Sequence, residues 1–238
     1  MERLDKLLAG TGRWTRRQVK DLVRSGRVTV DGAAAVRPEQ PCSSDACVAV
    51  DGREVPLGPI YIMLHKPGGV LSATQDARQS TVLDLLPEDL CRTGLFPVGR
   101  LDKDTEGLLL LSNDGALAHR LLSPRGHVDK VYFVRVDAPL DREDVEAFAA
   151  GMVLEDGLVC LSAGLKLLDG PDEALVTLRE GKYHQIKRML AQRGKNVEYL
   201  KRLSMGPLTL DPDLASGQWR FLTARERQQL IQSVQEER

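Results

Sequence analysis

Apolar residues recur at helical spacing near the start of the chain and at strand-like spacing soon afterwards. Those of residues 4–8 predict a first helix, and those of residues 19–23 predict a second helix for which Thr15 is a suitable N-cap. Residues 27–32, Arg-Val-Thr-Val-Asp-Gly, alternate and then turn, as a strand at a hairpin does. Short strands follow, up to a linker rich in proline and glycine. The pattern predicts a compact helix–turn–helix–strand unit over residues 1–58.

A run of four leucines at residues 108–111 predicts a buried strand in the remainder of the chain. A charged stretch that begins at Gly99 precedes this strand, and the turn-forming residues 113–115 follow it. Asp102 lies in the charged stretch, on a loop whose position the strand fixes. A carboxylate tethered beside cationic neighbours is well placed to act as a nucleophile or a base. Considered alone, the stretch also fits a surface turn with solvated charges.

Further elements are predicted on both sides of this strand. Helices are expected at residues 81–86, 116–122 and 141–150, after Gly181, and from Thr223 onward. Strands are expected at residues 60–64, 130–136, 159–161, 165–168 and 174–179, and between residues 199 and 210. Many strands with few helices, without regular βαβ alternation, indicate an α+β fold.

Composition narrows the range of functions. The 238 residues carry a net charge of −1, and 42% of them are hydrophobic, as in ordinary globular proteins. Apolar runs are too short to span a bilayer and the four cysteines form no Cys-x-x-Cys pair, so we expect a cytoplasmic protein with reduced thiols and no membrane partner. The four histidines are scattered, which argues against a metal site, and no glycine-rich nucleotide-binding motif occurs.

Cations concentrate in two places although the total charge is near zero. The first cluster surrounds the second helix and comprises Arg13, Arg16, Arg17, Lys20, Arg24 and Arg27. The second cluster follows Gly181 and comprises Lys182, Lys187, Arg188 and Arg193, with Lys201 and Arg202 just after them. Tyr183 and His184 lie between its first two lysines. Clustered cations are typical of a phosphate-binding surface. For the first cluster the alternative is a solvated helix face, and Tyr183 and His184 are either RNA contacts or core residues.

Three residues from separate segments suit chemistry on a nucleotide base: Asp102, Tyr132 on a predicted strand, and Lys187. The aromatic ring can stack on the base, and the cation favours the ionised carboxylate. The carboxylate can then attack or remove a proton. Asp104 and Glu106 are alternative acids on the same loop. Tyr132 and Lys187 also fit ordinary roles as a strand aromatic and a surface lysine.

The first part of the chain resembles a known RNA-binding domain. Residues 4–9 (Leu-Asp-Lys-Leu-Leu-Ala), 15–17 (Thr-Arg-Arg) and 26–32 (Gly-Arg-Val-Thr-Val-Asp-Gly) are similar to the alpha-L domain of ribosomal proteins and RNA-modifying enzymes. This resemblance implies that the second helix and its flanks bind RNA.

The second part resembles the bacterial ribosomal RNA pseudouridine synthases, and their small-subunit branch in particular. The motifs are residues 99–102 (Gly-Arg-Leu-Asp), 130–132 (Lys-Val-Tyr) and 181–189 (Gly-Lys-Tyr-His-Gln-Ile-Lys-Arg-Met). Together the two resemblances imply a small α/β RNA-binding domain at residues 1–58, followed by a mixed-sheet catalytic domain at residues 59–238.

The same resemblance implies residue roles. Asp102 is the catalytic carboxylate, Tyr132 stacks on the target uracil, Lys187 pairs with Asp102, and Arg100 holds the RNA open where the target nucleotide has flipped out. The N1–C1′ bond is broken, and the uracil turns and is joined again through C5. This isomerisation is redox-neutral and needs no cofactor. His65 departs from the pattern, because many relatives have asparagine before the Lys-Pro turn.

The implied partner is ribosomal RNA or an assembling small ribosomal subunit, bound by a monomer. Two alternatives stay open. One is a ribosome-assembly factor that binds RNA without catalysis, and the other is the same chemistry on large-subunit RNA.

Overall fold

The N-terminal part of the chain folds as short strands beside two helices. The computed structural model describes residues 1–43, 46–123 and 128–233. The N-terminal elements are β1 (Glu2–Arg3), α1 (Leu4–Gly10), α2 (Arg16–Arg24), β2 (Val28–Val30), β3 (Ala33–Ala34), β4 (Pro41–Cys42), β5 (Val48–Val50) and β6 (Arg53–Glu54). Strands β3, β2, β5 and β6 pair in that order and are antiparallel, and β1 pairs with β4.

The predicted helix boundaries here have a clear local cause. Thr15 caps α2, because its hydroxyl accepts from the Gln18 backbone N–H at 3.3 Å while the Gln18 side chain accepts from the Thr15 N–H at 2.8 Å. The apolar faces of both helices pack with β2 and β5 in one cluster that contains Leu4, Val19 and Val28. The two predicted helices and the strand that follows them are confirmed.

The second part of the chain is built on a mixed sheet. Its strands are β7 (Tyr61–Lys66), β8 (Phe96–Pro97), β9 (Glu106–Ser112), β10 (Lys130–Val136), β11 (Met152–Val153), β12 (Val159–Cys160), β13 (Gly164–Leu167), β14 (Glu173–Leu178), β15 (Val197–Met205), β16 (Leu208–Thr209) and β17 (Trp219–Phe221). Its helices are α3 (Glu88–Cys91), α4 (Gly115–Leu122), α5 (Arg142–Ala150), α6 (Gln185–Gln192) and α7 (Ala224–Ser233), with a 3₁₀ turn at Val82–Leu85.

The strand order explains the run of leucines in β9. The order is β13, β14, β10, β15, β9, β7 and β17, with β16 beside β15 and β8 beside β9. Leu109 and Leu111 face one apolar cluster, which includes α5 and α6, whereas Leu108 and Leu110 face another, which includes α4 and α7. Because both faces of this strand are covered, it reads as a continuous apolar run and not as an alternating one. The predicted α+β architecture is confirmed.

Several short elements could not be predicted from the sequence pattern. Strands β8 and β17 and helix α3 were not predicted, since two to four residues show no periodicity. Strand β17 exists because it pairs with β7, where Trp219 lies opposite Leu64. Within the described ranges, no helix is both long and apolar enough to cross a membrane.

Candidate active site

A buried lysine holds the loop that carries Asp102. Lys66, at the end of β7, is fully buried, and its Nζ donates to the backbone oxygens of Pro67 at 2.9 Å, Lys103 at 3.0 Å and Thr105 at 2.9 Å. Burial lowers the pKa of Lys66 to about 8, although the acids of the same loop act in the opposite direction. The lysine thus ties the loop to β7 just after Asp102.

A serine holds the same loop just before Asp102. The buried Ser72 hydroxyl donates to the Leu101 backbone oxygen at 2.8 Å and accepts from the Leu101 N–H at 3.1 Å. The Leu101 side chain is itself buried in the larger apolar cluster. Asp102 is therefore positioned by anchors on both sides, as a reacting group requires.

Strand pairing sets the distance from this loop to Tyr132. Strand β15 lies between β10 and β9, and Arg202 on β15 pairs with Tyr132 on one side and with Gly107 on the other. Gly107 has φ +102°, and a Cβ there would lie 2.2 Å from the backbone oxygen of Arg202. Only glycine allows the two strands to approach this closely.

The structure brings Asp102, Tyr132 and Lys187 to one cavity. The loop before β9 supplies Asp102, β10 supplies Tyr132, and α6 supplies Lys187. Leu178 and Leu200 add apolar walls, and Tyr132 is only 8% exposed. The cavity is narrow, with a volume of about 70 Å³, and it adjoins a groove of about 570 Å³.

The Lys187 ammonium serves two carboxylates. Its Nζ lies 3.5 Å from Asp102 Oδ2 but 2.6 and 2.7 Å from the two Asp104 oxygens. The expected contact with Asp102 is present, yet the closer partner is Asp104. Burial alone would raise the pKa of Asp104, but the hydrogen bonds from Lys187 outweigh it and the pKa lies below its usual value. That one lysine contacts both carboxylates was not predicted from the sequence.

His184 contacts Asp102 from the other side. Its Nε2 lies 3.4 Å from Asp102 Oδ1, and its ring stacks on Tyr183 with centroids 3.8 Å apart. His184 precedes α6 with φ +50°, a left-handed conformation that is uncommon for residues other than glycine. The sequence allowed either an RNA contact or a core residue at His184. Its side chain is 37% exposed, and it belongs to none of the apolar clusters of the described residues.

The two alternative acids of the loop have other surroundings. Glu106 accepts a hydrogen bond from the Tyr199 hydroxyl at 2.9 Å, and the side chain of Asp104 is 73% exposed. In the described part of the chain, Asp102 is the carboxylate that lines the cavity.

The cations predicted to bind RNA near the active site lie in two different places. Arg100 is exposed at the cavity mouth, and Lys182 lines the cavity while pairing with Glu180 at 2.8 Å. Arg188 instead pairs with Asp156 at 2.5 Å and lines a separate depression. The structure does not bring Arg188 to the cavity, because its position on α6 points toward the β11–β12 hairpin.

The first predicted cluster is partly neutralised. Lys20 lies 3.4 Å from Glu39, Arg24 lies 3.7 Å from Asp21, and Arg27 lies 2.6 Å from Asp51. The sequence showed only Asp21 beside the helix, because the other two acids come from distant segments. Arg16 and Arg17 are exposed and form no ion pair with an acid of the described residues. They are the strongest candidates for phosphate contacts in this part.

The roles of Lys66 and Ser72 in holding the Asp102 loop were not predicted from the sequence. A signal existed for the lysine, which stands in a Lys-Pro-Gly turn directly after a strand. Nothing in the sequence marks Ser72, since its role depends on the backbone of Leu101, 29 residues away.

Comparison with known proteins agrees with this geometry. Residues 60–192 match the RNA pseudouridylate synthase family, and residues 2–46 match the S4 domain. An RNA pseudouridine synthase of Bacillus subtilis is 48% identical over 94% of this chain and 96% of its own length. The ribosomal small subunit pseudouridine synthase A of Pseudomonas aeruginosa is 44% identical over 94% of this chain and 98% of its own length.

A solved structure shows the same architecture. The crystal structure of a pseudouridylate synthase covers 97% of this chain and all of its own, with a TM-score of 0.69 and 32% sequence identity. Three segments that carry the sequence motifs meet at one cavity. The relatives match the chain along nearly its whole length, so the geometry and the comparisons indicate the same family. The chain belongs to the RNA pseudouridylate synthase family and is an RNA pseudouridine synthase, an isomerase.

Proposed function

We propose that this enzyme converts a uridine of small-subunit ribosomal RNA to pseudouridine, with Asp102 as the catalytic carboxylate. One observation carries the proposal: a carboxylate, an aromatic ring and an ammonium group from three elements line one narrow cavity. The RNA class rests on relatives that are named ribosomal small subunit pseudouridine synthase A, among them the proteins of Pseudomonas aeruginosa and Escherichia coli.

In the proposed reaction, the target nucleotide leaves the RNA stack and its uracil enters the cavity, because the reacting atoms are inaccessible in a duplex. Tyr132 stacks on the ring, and Leu178 and Leu200 exclude water. The N1–C1′ bond breaks, the uracil turns, and the C5–C1′ bond forms. C5 loses a proton and N1 gains one, so atoms and electrons balance without a co-reactant.

Asp102 takes part in one of two ways, and both use its anionic form. It adds to C1′ as a nucleophile, or it removes the C2′ proton as a base. Lys187 contacts one oxygen of the Asp102 carboxylate and His184 contacts the other, and together they fix the orientation of the carboxylate. Deuterium at C2′ distinguishes the two routes, since only proton removal gives a primary isotope effect.

We also propose a division of labour along the chain. Residues 1–58 bind RNA, with Arg16 and Arg17 as the leading phosphate contacts beside Lys20, Arg24 and Arg27. Residues 59–238 form the catalytic domain, in which Arg100 occupies the space that the everted nucleotide leaves and Lys182 contacts the backbone. In this proposal the enzyme acts as a monomer in the cytoplasm, on ribosomal RNA or on an assembling small ribosomal subunit.

The test replaces Asp102 and uses Asp104 as its matched control. Both carboxylates contact Lys187 and stand on the same loop, but only Asp102 lines the cavity. Asp102→Asn is expected to abolish pseudouridine formation, while RNA binding and the free energy of unfolding stay the same. Asp104→Asn is expected to keep most of the activity.

Mapping pseudouridine in ribosomal RNA from cells with and without the gene completes the test. A site that is lost from small-subunit RNA supports the proposal. A site lost from large-subunit RNA corrects the substrate. If no site is lost from either RNA, ribosomal RNA is not the substrate, and product formed by Asp102→Asn would refute the role of Asp102.

A further inference from the structure

A second groove adjoins the cavity of Asp102. One wall is the loop at residues 71–76, and the other is the turn at residues 181–184. Its volume of about 570 Å³ lies within the range of about 300–1,000 Å³ in which proteins bind small ligands. Arg100, Asp102 and His184 line both the cavity and the groove. A nucleotide whose base enters the cavity can therefore place one of its two neighbours in this groove.

An exposed aromatic ring stands in the groove. Tyr183 is 75% exposed, and its ring is stacked on His184 at an angle of 18°. Since His184 Nε2 lies 3.4 Å from Asp102 Oδ1, the two stacked rings extend outward from Asp102. One face of the Tyr183 ring is covered by His184. The exposed face suits a nucleobase, because every base can stack on an aromatic ring.

The turn that presents this ring is held rigidly. The buried Gln185 side chain accepts a hydrogen bond from the Lys182 backbone N–H at 3.1 Å and donates to Glu180 at 2.6 Å. Glu180 also accepts from the backbone N–H of Leu161 at 2.8 Å. These bonds stabilise the left-handed conformation of His184, which costs free energy and persists only where its surroundings impose it. The platform is thus built before any ligand arrives.

A third segment of the groove lining, residues 100–103, carries two positive charges. Lys103 and Arg100 are both exposed, and neither forms an ion pair with an acid of the described residues. Asp76 is the other acid in the groove, and its Oδ1 accepts from the backbone N–H groups of Arg78 and Gln79 at 2.8 and 2.9 Å. A phosphate on the Asp102 side of the groove would meet Lys103 and Arg100 and not Asp76.

We propose that this groove is a subsite for the nucleotide next to the target uridine. The base of that nucleotide stacks on the exposed face of Tyr183, and its phosphate lies between Lys103 and Arg100. The inference rests on the proposed entry of uridine into the Asp102 cavity and deepens it. It makes Tyr183 a binding residue for the nucleotide beside the target, whichever base that nucleotide carries, because every base can stack on an aromatic ring.

The experiment measures binding and not chemistry. The Asp102→Asn protein is titrated with short single-stranded RNAs that contain one uridine and carry either normal or abasic neighbours. Removing the neighbouring base is expected to weaken binding roughly 5- to 150-fold. Adding Tyr183→Ala is expected to weaken binding of the normal RNA by a similar factor and to leave the abasic RNA unchanged, whereas Tyr183→Phe keeps the affinity.

Matched controls come from outside the groove. Phe221→Ala removes another exposed aromatic side chain, on β17, and is expected to leave both affinities unchanged. Lys103→Ala is expected to reduce the slope of log K against log salt by about 0.7, as loss of one phosphate contact to a single strand does. Lys166→Ala, an exposed lysine on β13, is expected to leave the slope unchanged.

The subsite and the proposed function fail in different ways. Equal losses for normal and abasic RNA in the Tyr183→Ala protein would overturn the subsite while Asp102→Asn still abolishes the product. Pseudouridine made by the Asp102→Asn protein would overturn the role of Asp102 and leave the binding comparison to decide the subsite.

Discussion

Replacing Gly107 by alanine tests whether the close approach of β9 and β15 assembles the active site. Gly107 has φ +102°, and an added Cβ would lie 2.2 Å from the backbone oxygen of Arg202 and 2.7 Å from its nitrogen. Backbone atoms of a paired strand cannot swing aside as the end of a side chain does. Ordinary contact begins near 3.4 Å, so the strands must separate by about 1.2 Å.

The cost has two parts. A residue other than glycine in this conformation costs about 1–3 kcal/mol. Separating the strands weakens the pairing of Glu106 with Lys201 and of Gly107 with Arg202, which at about 1 kcal/mol for each hydrogen bond adds roughly 1–2 kcal/mol. The total is about 2–5 kcal/mol. Because Asp102 stands on the β9 side and Tyr132 on the β15 side, a shift of about 1 Å should also reduce the rate roughly 10²-fold.

Urea unfolding and single-turnover pseudouridine formation measure the two effects. Gly164→Ala on β13 is the matched control, because its Cβ would meet only Thr177 at an ordinary 3.4 Å. The control is expected to change the free energy of unfolding by less than about 1 kcal/mol and to keep full activity. A Gly107→Ala enzyme with wild-type stability and rate would refute the reasoning.

Three further changes probe other parts of the molecule. Lys66→Met removes two hydrogen bonds to the Asp102 loop, those to the backbone oxygens of Lys103 and Thr105, but it also relieves the desolvation that lowers the pKa of Lys66 to about 8. These effects on stability oppose each other, so we expect a small change in melting temperature but a loss of activity of roughly 10²-fold. Arg220 lowers the pKa of Glu226 to about 2, below its usual 4.5, so Glu226→Gln should cost up to about 3 kcal/mol of unfolding free energy at pH 7, a difference that is lost as the pH falls from 4.5 toward 2. Replacing both Arg16 and Arg17 by alanine should reduce the salt slope of RNA binding by about 1.5 to 2 and leave turnover on bound RNA unchanged.

Each of these expectations has an outcome that contradicts it. Full activity of Lys66→Met, with Lys166→Met as the control, would show that the loop needs no anchor. A Glu226→Gln difference that stays constant between pH 7 and pH 3 would mean that Arg220 does not hold the ionised carboxylate. An unchanged salt slope in the double arginine variant would move the phosphate contacts away from α2.

The longer helices and strands could be predicted from local sequence patterns, because the interactions that form them lie within a few residues of one another. The cap of α2 lies within Thr15 and Gln18, and the cap of α5 lies within Asp141 and Asp144. The leucines of β9 mark burial on both faces wherever the strand sits in the sheet. Strands β8 and β17 could not be predicted in this way, because each is stabilised by a partner strand and not by its own few residues.

The sequence by itself determined which side chains are available for chemistry and which segments carry them: Asp102 on a loop before a strand, Tyr132 on a strand and Lys187 on a helix. Only the tertiary structure decided which of them interact. Long-range pairing placed Asp104 on Lys187, His184 on Asp102, Ser72 on Leu101 and Arg188 on Asp156. These distances follow from strand order and from the close approach at Gly107. Which side chains meet depends on segments that are far apart in the sequence, and the spacing of residues within one segment does not encode it.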